Sequence, residues 1–405
     1  MRAIQTGGGR LSVAMRRLLC LTVLLSALLG CSEEETISFG AVLPLSGEHE
    51  IYGQPILKGI EVALEELQGQ SDFPYAVEVD VMDSEGDPEK GAQLLEELYN
   101  GGAFAAVGGV TTAEALAMVT VADREDRVLV SPSASSPELT GISKNFYRVF
   151  PSDSREGTTM GNFASRKLQI ENAVIITKED PFARGIQEVF KTEFERNQGQ
   201  VVDVIEYPEG AADFTGIIER VMTVRPQAVY VAAYADDTGK IIAALRNKGF
   251  EGSILTTAAF AVPEVIERVG AAAEGIFLTR AVFELDSEEQ GIQDFVERFR
   301  EKYGLSPDLY AAHGYDALMV LAASLVESGP FAGDFWKGIR ALRDYPGVTG
   351  TIQFDEKGDA QKFPRVYVIE NGNLVDYEKE VERRRRELLE RLRQLEEQQR
   401  ERGTN

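Results

Sequence analysis

The residues of this chain that could do chemistry fall into few sets. Among 405 residues there are two cysteines and two histidines, namely Cys20, Cys31, His49 and His313. Cys20 lies inside an apolar N-terminal run and Cys31 at its end, so the rest of the chain has no disulfide, no thiol nucleophile and no cysteine metal cage. His313 falls in a helical pattern, Ala311-Ala312-His313-Gly314-Tyr315-Asp316, and reads as a buried or capping histidine. Asp80, Asp83, Glu85 and Asp87 are close enough together to suggest calcium, yet they miss the spacing of an EF-hand loop and read better as a solvated strand-to-helix turn. Thr238-Gly239-Lys240 fails as a phosphate loop, because Tyr234 stands where the first glycine belongs and Ile241 where Ser or Thr belongs. No metal, cofactor or catalytic group is expected. What remains are small, hydroxyl-bearing runs directly after apolar segments: Pro44-Leu45-Ser46-Gly47 followed by Tyr52-Gly53, Gly108-Gly109-Val110-Thr111-Thr112, and Ser131-Pro132-Ser133-Ala134-Ser135-Ser136-Pro137-Glu138-Leu139-Thr140. At such places loop side chains and helix N-terminal amides converge, and they donate hydrogen bonds without a charge to desolvate.

Those loops need elements to hold them. The pattern predicts strands over 37–43, 76–82, 104–107, 128–130, 173–177, 201–207, 228–232 and 275–279. Helical periodicity falls between them over 55–67, 88–100, 114–122, 154–168, 185–197, 214–223 and 238–249. Asp87-Pro88 supplies an N-cap with a first-turn proline, Asp213 and Asp236-Asp237 are further caps, and Gly249 fits a C-cap. Apolar strands alternating with helices imply α/β architecture with parallel sheets covered on both faces. In such sheets ligands bind outside the carboxyl ends of the strands, where the loops above lie.

The N-terminus is an address. Arg16-Arg17 precede a largely apolar stretch, Leu18 to Leu29, too short to cross a bilayer and ending in Leu28-Leu29-Gly30-Cys31 before Ser32-Glu33-Glu34-Glu35. The ending resembles a bacterial lipobox, which implies that residues 1–30 are a signal peptide, Cys31 is lipidated and 31–36 is a tether; an ordinary secretory signal with an incidental cysteine is the alternative. The chain carries 66 acidic against 42 basic side chains, a net charge of -24. Setting aside four arginines in 1–30 and nine acids and nine bases in 376–405 leaves 57 acids against 29 bases in between. A body that acidic repels nucleic acid and anionic lipid head groups, so the membrane is expected to be met only through the N-terminal lipid.

At the loops the chain resembles the type I periplasmic solute-binding proteins of the leucine/isoleucine/valine-binding class, which deliver amino acids and similar molecules to ABC importers. The resemblance runs from about Ile37 to about Tyr377. Besides the loops above, it rests on Tyr147-Arg148 with Pro151-Ser152-Asp153, on Asp213-Phe214, and on Gly350-Thr351-Ile352-Gln353-Phe354-Asp355-Glu356-Lys357-Gly358-Asp359. It implies two doubly wound lobes joined by three crossovers: lobe 1 over 36–152 and 282–358, lobe 2 over 153–281 and 359–377, with crossings near 148–153, 278–283 and 354–358.

The resemblance also implies the site. Tyr52 walls the ligand from lobe 1. Thr112, beside Thr111, offers a hydroxyl and a helix-start amide to a carboxylate. Ser133, Ala134 and Ser135 form a main-chain cradle, Ser133 through its carbonyl and Ser135 through hydroxyl and amide. From lobe 2 come Phe182, where the family usually has tyrosine, and Tyr234; Tyr310 is a late lobe 1 aromatic. One departure stands out. The class places an acid for the ligand ammonium after the strand ending near Leu255, and here that position is Ala258. Burying an ammonium without a counter-charge costs several kcal/mol. Either Asp236 or Asp237 substitutes, or the ligand is an amide, an aromatic or aliphatic carboxylate, or a modified amino acid, and the latter is the expectation.

The expected activity is thus binding, not catalysis: a substrate-binding lipoprotein that faces the periplasm from the bacterial cell envelope, closes on an amino-acid-like or carboxylate ligand and partners an ABC permease in the inner membrane. The alternative is a ligand-sensing or envelope-enzyme-activating lipoprotein working through a protein partner. It is favoured by the charged helical tail 378–405, where Val381, Arg385, Leu388, Leu392, Leu395 and Gln399 follow a marginal heptad that leaves self-association through 378–402 open.

Overall fold

A computed structural model describes residues 36–403. The signal segment, Cys31 and most of its tether lie outside the described residues. Two parallel-stranded sheets carry the architecture, each covered by helices. The first has five strands in the order β2-β1-β3-β4-β5, with β1 Thr36–Leu43, β2 Ala76–Asp83, β3 Ala106–Gly108, β4 Leu129–Ser131 and β5 Phe146–Arg148. The second has seven, ordered β14-β13-β10-β9-β8-β6-β7, with β6 Asn172–Lys178, β7 Gln200–Tyr207, β8 Ala228–Ala232, β9 Ser253–Thr256, β10 Phe277–Arg280, β13 Arg365–Glu370 and β14 Asn373–Asp376. A small hairpin, β11 Tyr345–Gly347 with β12 Gly350–Ile352, stands apart. Every strand of the first sheet pairs in parallel, as the near-continuous apolar runs such as Phe39 to Leu43, all buried, require.

The edge of the second sheet differs from that expectation, because β13 pairs antiparallel with both β10 and β14. For β14 the reason is local. Asn371 and Gly372 adopt φ of 52° and 74°, the two-residue turn that joins antiparallel strands.

Helices follow their strands. They are α1 Glu50–Gly69, α2 Pro88–Gly101, α3 Thr112–Arg124, α4 Asp153–Asn162, α5 Pro181–Arg196, α6 Thr215–Val224, α7 Ala235–Asn247, α8 Pro263–Val269, α9 Gln290–Tyr303, α10 Leu309–Ser328, α11 Phe335–Ala341 and α12 Tyr377–Gly403. The caps explain many starts. Asp87 accepts the Lys90 amide with Pro88 in the first turn, and Asp213 accepts the Thr215 amide at 2.8 Å. Asp236 and Asp237 fall inside the first turn of α7 instead of capping it, with Tyr234 at the N-cap. The sequence-predicted start at Pro55 is also too late: α1 begins at Glu50, with Pro55 inside it. Gly53 permits this, since a β-carbon there would stand 1.9 Å from the Pro44 carbonyl oxygen. The predicted helix over 154–168 ends at Asn162 and continues as a single π turn, Phe163–Lys167.

Two features tie distant segments together. Helices α1 and α10 touch through glycines: a β-carbon on Gly59 would lie 1.9 Å from the Ala311 carbonyl oxygen, and one on Gly314 2.3 Å from that of Ile56. The apolar α10, long enough by composition to span a bilayer, is buried in this way as a core helix. Arg148, fully buried, pins the exit of β5 to the segment before β13: Nε donates to Asp359 at 2.7 Å, Nη1 to the Ser136 carbonyl at 2.7 Å and Nη2 to Thr140 at 2.6 Å.

Candidate functional site

The carboxyl ends of the two sheets face each other across a cavity. Most of the residues named from sequence line it: Tyr52, Thr112, Ser133, Ala134, Ser135, Phe182, Tyr234 and Tyr310, joined by Val110, Phe150, Glu156, Ala258 and Ala259. The space open to a water-sized sphere among these atoms is about 30 Å³, so as the side chains stand the walls nearly meet and a ligand enters only when they part.

Aromatic rings form its walls. Tyr52 on α1 meets Tyr310 on α10 edge to face at 4.9 Å between centroids, Tyr234 packs on Phe182 at 5.0 Å, and His49 covers Tyr234 at 4.6 Å. The Tyr52 hydroxyl reaches over from the first sheet's side, donating to the Ala259 carbonyl at 3.0 Å and accepting from the Ala235 amide at 2.9 Å. Tyr310 donates to the Ala258 carbonyl at 3.2 Å. Lys178 Nζ, 5.8 Å from the centre of the Tyr234 ring, meets Glu48 at 2.8 Å. Burial raises the pKa of the Tyr52, Tyr234 and Tyr310 phenols, so all three stay protonated.

The polar side is built by helix starts and by the loop after β4. Thr111 is the N-cap of α3: its hydroxyl accepts the Glu114 amide at 3.2 Å and donates to the Glu114 carboxylate at 3.0 Å, and that carboxylate accepts the Thr111 amide at 3.1 Å, closing a capping box. Its side chain is structural, and it does not join the cavity wall. Thr112, the next residue, has a buried Oγ1 with no partner among the described residues. Ser133 gives its hydroxyl to the Val110 carbonyl at 2.7 Å, and Ser135 gives its hydroxyl to Asp153 at 3.0 Å. The hydroxyl expected of Ser135 for a ligand is therefore engaged by a carboxylate of α4.

That helix carries the feature sequence reasoning missed. Glu156, in the first turn of α4 and 1% exposed, lines the cavity and accepts from the Ala258 amide at 2.7 Å and the Thr279 hydroxyl at 2.9 Å, both on Oε1. Burial pushes its pKa up to about 7 against the opposing pull of those two donors. Asp153, one turn earlier and fully buried, is pushed up by burial and by the Glu156 charge, and its Oδ1 has no partner among the described residues. The two residues offered as substitutes for the acid missing at Ala258 do other work: Asp236 pairs with Arg268, while Asp237 takes Lys240 at 3.2 Å and Tyr207 at 3.3 Å. The only signal for Glu156 in the sequence was its place just after the first crossing motif, where it reads as an ordinary polar helix residue.

The other sequence candidates resolve structurally. His313 is buried, its Nδ1 2.8 Å from the Leu309 carbonyl, and burial lowers its pKa well below the usual value. Asp83 accepts the Leu45 and Glu85 amides at 2.8 and 2.9 Å, which spends it on the turn. Among the described residues no cluster of His, Cys, Asp and Glu is arranged to hold a metal ion.

Residues 36–372 match the family model described as periplasmic binding protein. The chain is similar to the leucine-, isoleucine-, valine-, threonine-, and alanine-binding protein of Pseudomonas aeruginosa, 24% identical over 335 residues, 81% of this chain and 88% of that one. Among solved structures it resembles a leucine-binding protein LivK of Thermotoga maritima, with TM-score 0.80 and 28% identity, covering 84% of this chain and 97% of the other. It also resembles the branched-chain amino acid transporter substrate-binding protein LivJ of Streptococcus pneumoniae in complex with isoleucine, with TM-score 0.78 and 25% identity over 84% of this chain and 98% of that one.

Proposed function

The chain belongs to the periplasmic binding protein family, and from that premise we propose that it is the substrate-binding component of an ABC importer. It captures a small amino-acid-like or carboxylate ligand between two lobes, 36–152 with 282–358 and 153–281 with 359–377, and presents the closed form to a permease. The observation that carries this reading is the closed cavity itself, walled by Tyr52 and Tyr310 on one side and by Phe182 and Tyr234 on the other, with the Tyr52 hydroxyl spanning the gap. No covalent step is needed. Ligand contacts from both lobes favour the closed state, and the crossings near Arg148 and Asp359 absorb the rotation. A titration of ligand-stripped protein against a metabolite library, read by melting temperature, tests it. Saturable stabilisation by a small solute, abolished in Tyr52→Ala and Tyr234→Ala, is the expected result.

The chain is further proposed to be anchored in the cell envelope, facing the periplasm, through lipid on Cys31. A clickable fatty acid should label the wild type and not Cys31→Ser; an unlabelled wild type refutes the anchor.

A second reading, a lipoprotein acting through a protein partner or as a self-associated pair, is favoured by α12. This 27-residue helix leaves Val381, Leu388, Leu389, Leu392 and Leu395 exposed beyond the sheet it starts from. Absence of any small-molecule stabilisation, with a stable complex lost on deleting 378–405, would select it.

A further inference from the structure

The end of the first sheet opposite the cavity carries a second surface. The cavity lies at the carboxyl ends of the strands, whereas β1 begins at Thr36, paired with Ala76 at the start of β2. Helix α10 runs from Tyr310 in the cavity wall to Ser328, about 27 Å away at a rise of about 1.5 Å per residue. Val326 stands in its last turn, and the chain continues through Phe331 into α11. Phe335 of α11 packs on Phe104 at 4.8 Å between ring centroids, and the Phe104 amide donates to the Ser38 carbonyl at 2.7 Å, next to the start of β1. Thr36 and these apolar residues therefore share one end of the sheet. We propose that this face rests on the membrane that holds the Cys31 lipid, with Phe331 and Val326 entering the lipid surface and Trp336 at its boundary. The inference rests on the lipid anchor proposed above and adds to it a contact made by the protein itself.

Three observations carry the assignment. First, the surface is apolar and uncovered. Phe331 is 70% exposed and Val326 52%, and Val326 lines an open groove of about 570 Å³ together with Leu67, Phe73, Met319, Leu342 and Tyr345. A contiguous apolar patch of this kind marks a surface that something covers. Second, Trp336, the one tryptophan of the sequence, is half-buried on α11, with Lys144, Lys337 and Arg340 at 5.8, 5.6 and 5.2 Å from its ring centre. An amphipathic ring among long basic side chains suits a water–lipid boundary, where apolar stems lie against lipid and charged heads reach water. Third, the tether is short. Cys31 and Thr36 are five residues apart, a reach of at most about 18 Å when extended. A lipid on Cys31 thus keeps the start of β1 within that distance of the membrane, and with it this face and no other.

The expectation from composition, that the membrane is met only through the N-terminal lipid, rests on charge, and this face is locally balanced. Lys337 pairs with Asp334 at 2.6 Å and Lys144 with Asp126 at 2.9 Å. Arg340 donates to the Glu356 carbonyl at 3.0 Å, and Arg343 lies along the groove with Glu327 and Asp344. Apolar contact therefore draws the face to lipid, and a zwitterionic surface serves. Two side chains make a shallow, reversible contact. It leaves the cavity, at the other end of the sheet, directed away from the lipid and towards solute.

The test reads the tryptophan itself. Acylated protein purified in detergent is reconstituted into vesicles of phosphatidylcholine and phosphatidylethanolamine that carry a nitroxide lipid, labelled either near the head group or deep in the acyl chain. Expected is a blue shift of Trp336 emission, with stronger quenching by the shallow label than by the deep one. The double variant Val326→Asp with Phe331→Asp should lose at least about half of that quenching, because aspartate resists entry into lipid. Both positions are exposed, so its acylation and denaturation midpoint should match the wild type. Absence of quenching in the wild type, or full quenching in the double variant, overturns the proposal and leaves the anchor in place. A blue shift that grows with protein concentration in vesicle-free buffer assigns the face to a second copy and overturns it equally. A wild type that takes up no fatty acid refutes the anchor, and the same vesicles are then added to the unacylated protein. Quenching there, lost in the double variant, supports the face without the anchor; none overturns both.

Discussion

Replacing Tyr52 by phenylalanine isolates the bond that bridges the cavity. The ring remains and keeps its contacts with Tyr310 and Tyr234 at 4.9 and 5.9 Å, so only the hydroxyl is lost. That hydroxyl makes two bonds, to the Ala259 carbonyl and from the Ala235 amide, and both exist only while the two sheets' ends face each other closed. In an open form water reaches the amide and the carbonyl. The variant should therefore destabilise the closed form selectively. Each bond contributes a net of about 0.5–1.5 kcal/mol, giving about 1–3 kcal/mol in total. Because ligand binding and closure are linked, that amounts to roughly a 5- to 150-fold weaker dissociation constant. Tyr310→Phe removes one bond, to Ala258, and should cost about half as much in free energy. Calorimetry with whichever solute stabilises the wild type measures the affinity, and small-angle scattering with and without that solute measures closure. Unchanged affinity together with an unchanged scattering difference in Tyr52→Phe would refute the latch.

Three further outcomes are expected. Ala258→Glu adds a second carboxylate to the buried site where Glu156 Oε1 already accepts the Ala258 amide; like charges in one buried site should lower stability, and an unchanged denaturation midpoint would show that the two carboxylates keep apart. Glu156 has its pKa raised from 4.5 to about 7 on folding, so its contribution to stability is complete below pH 4.5 and is lost as pH rises through 7, a change of about 3 kcal/mol; chemical denaturation at pH 5 and pH 8 should show a shallower decline in Glu156→Gln, and identical declines would remove Glu156 as the cause. Gly59→Ala forces α1 and α10 apart, since its new carbon would stand 1.9 Å from a backbone oxygen; a loss of roughly 2 kcal/mol or more is expected in denaturation, and a neutral variant would show that the helices can slide.

The hydroxyl-bearing loops after apolar strands were legible in the residues alone, while the individual wall residues came with the family resemblance. Tyr52, Ser133, Ser135 and Tyr234 sit one short loop beyond an apolar strand, and parallel strands must release their loops at one end of a sheet. Thr111 shows the limit of that logic. A threonine at a helix start reads equally as a cap or as a ligand contact, and only the Glu114 side chain, buried with it, makes it a cap. Ser135 was placed at the cavity, but its hydroxyl belongs to Asp153.

The sequence by itself determined what depends on near neighbours: the alternation that makes strands and helices, the Asp87-Pro88 start, the acidic body and the apolar N-terminal run ending at Cys31. These follow from propensity, capping and composition, which act over a few residues. Tertiary structure alone decided the charge of the cavity. Glu156 and Ala258 are separated by 102 residues, Glu156 and Thr279 by 123, and whether a glutamate on a polar helix face meets water or a closed pocket depends on what the second sheet brings against it. Burial raises its pKa, and burial is a property of the assembled chain.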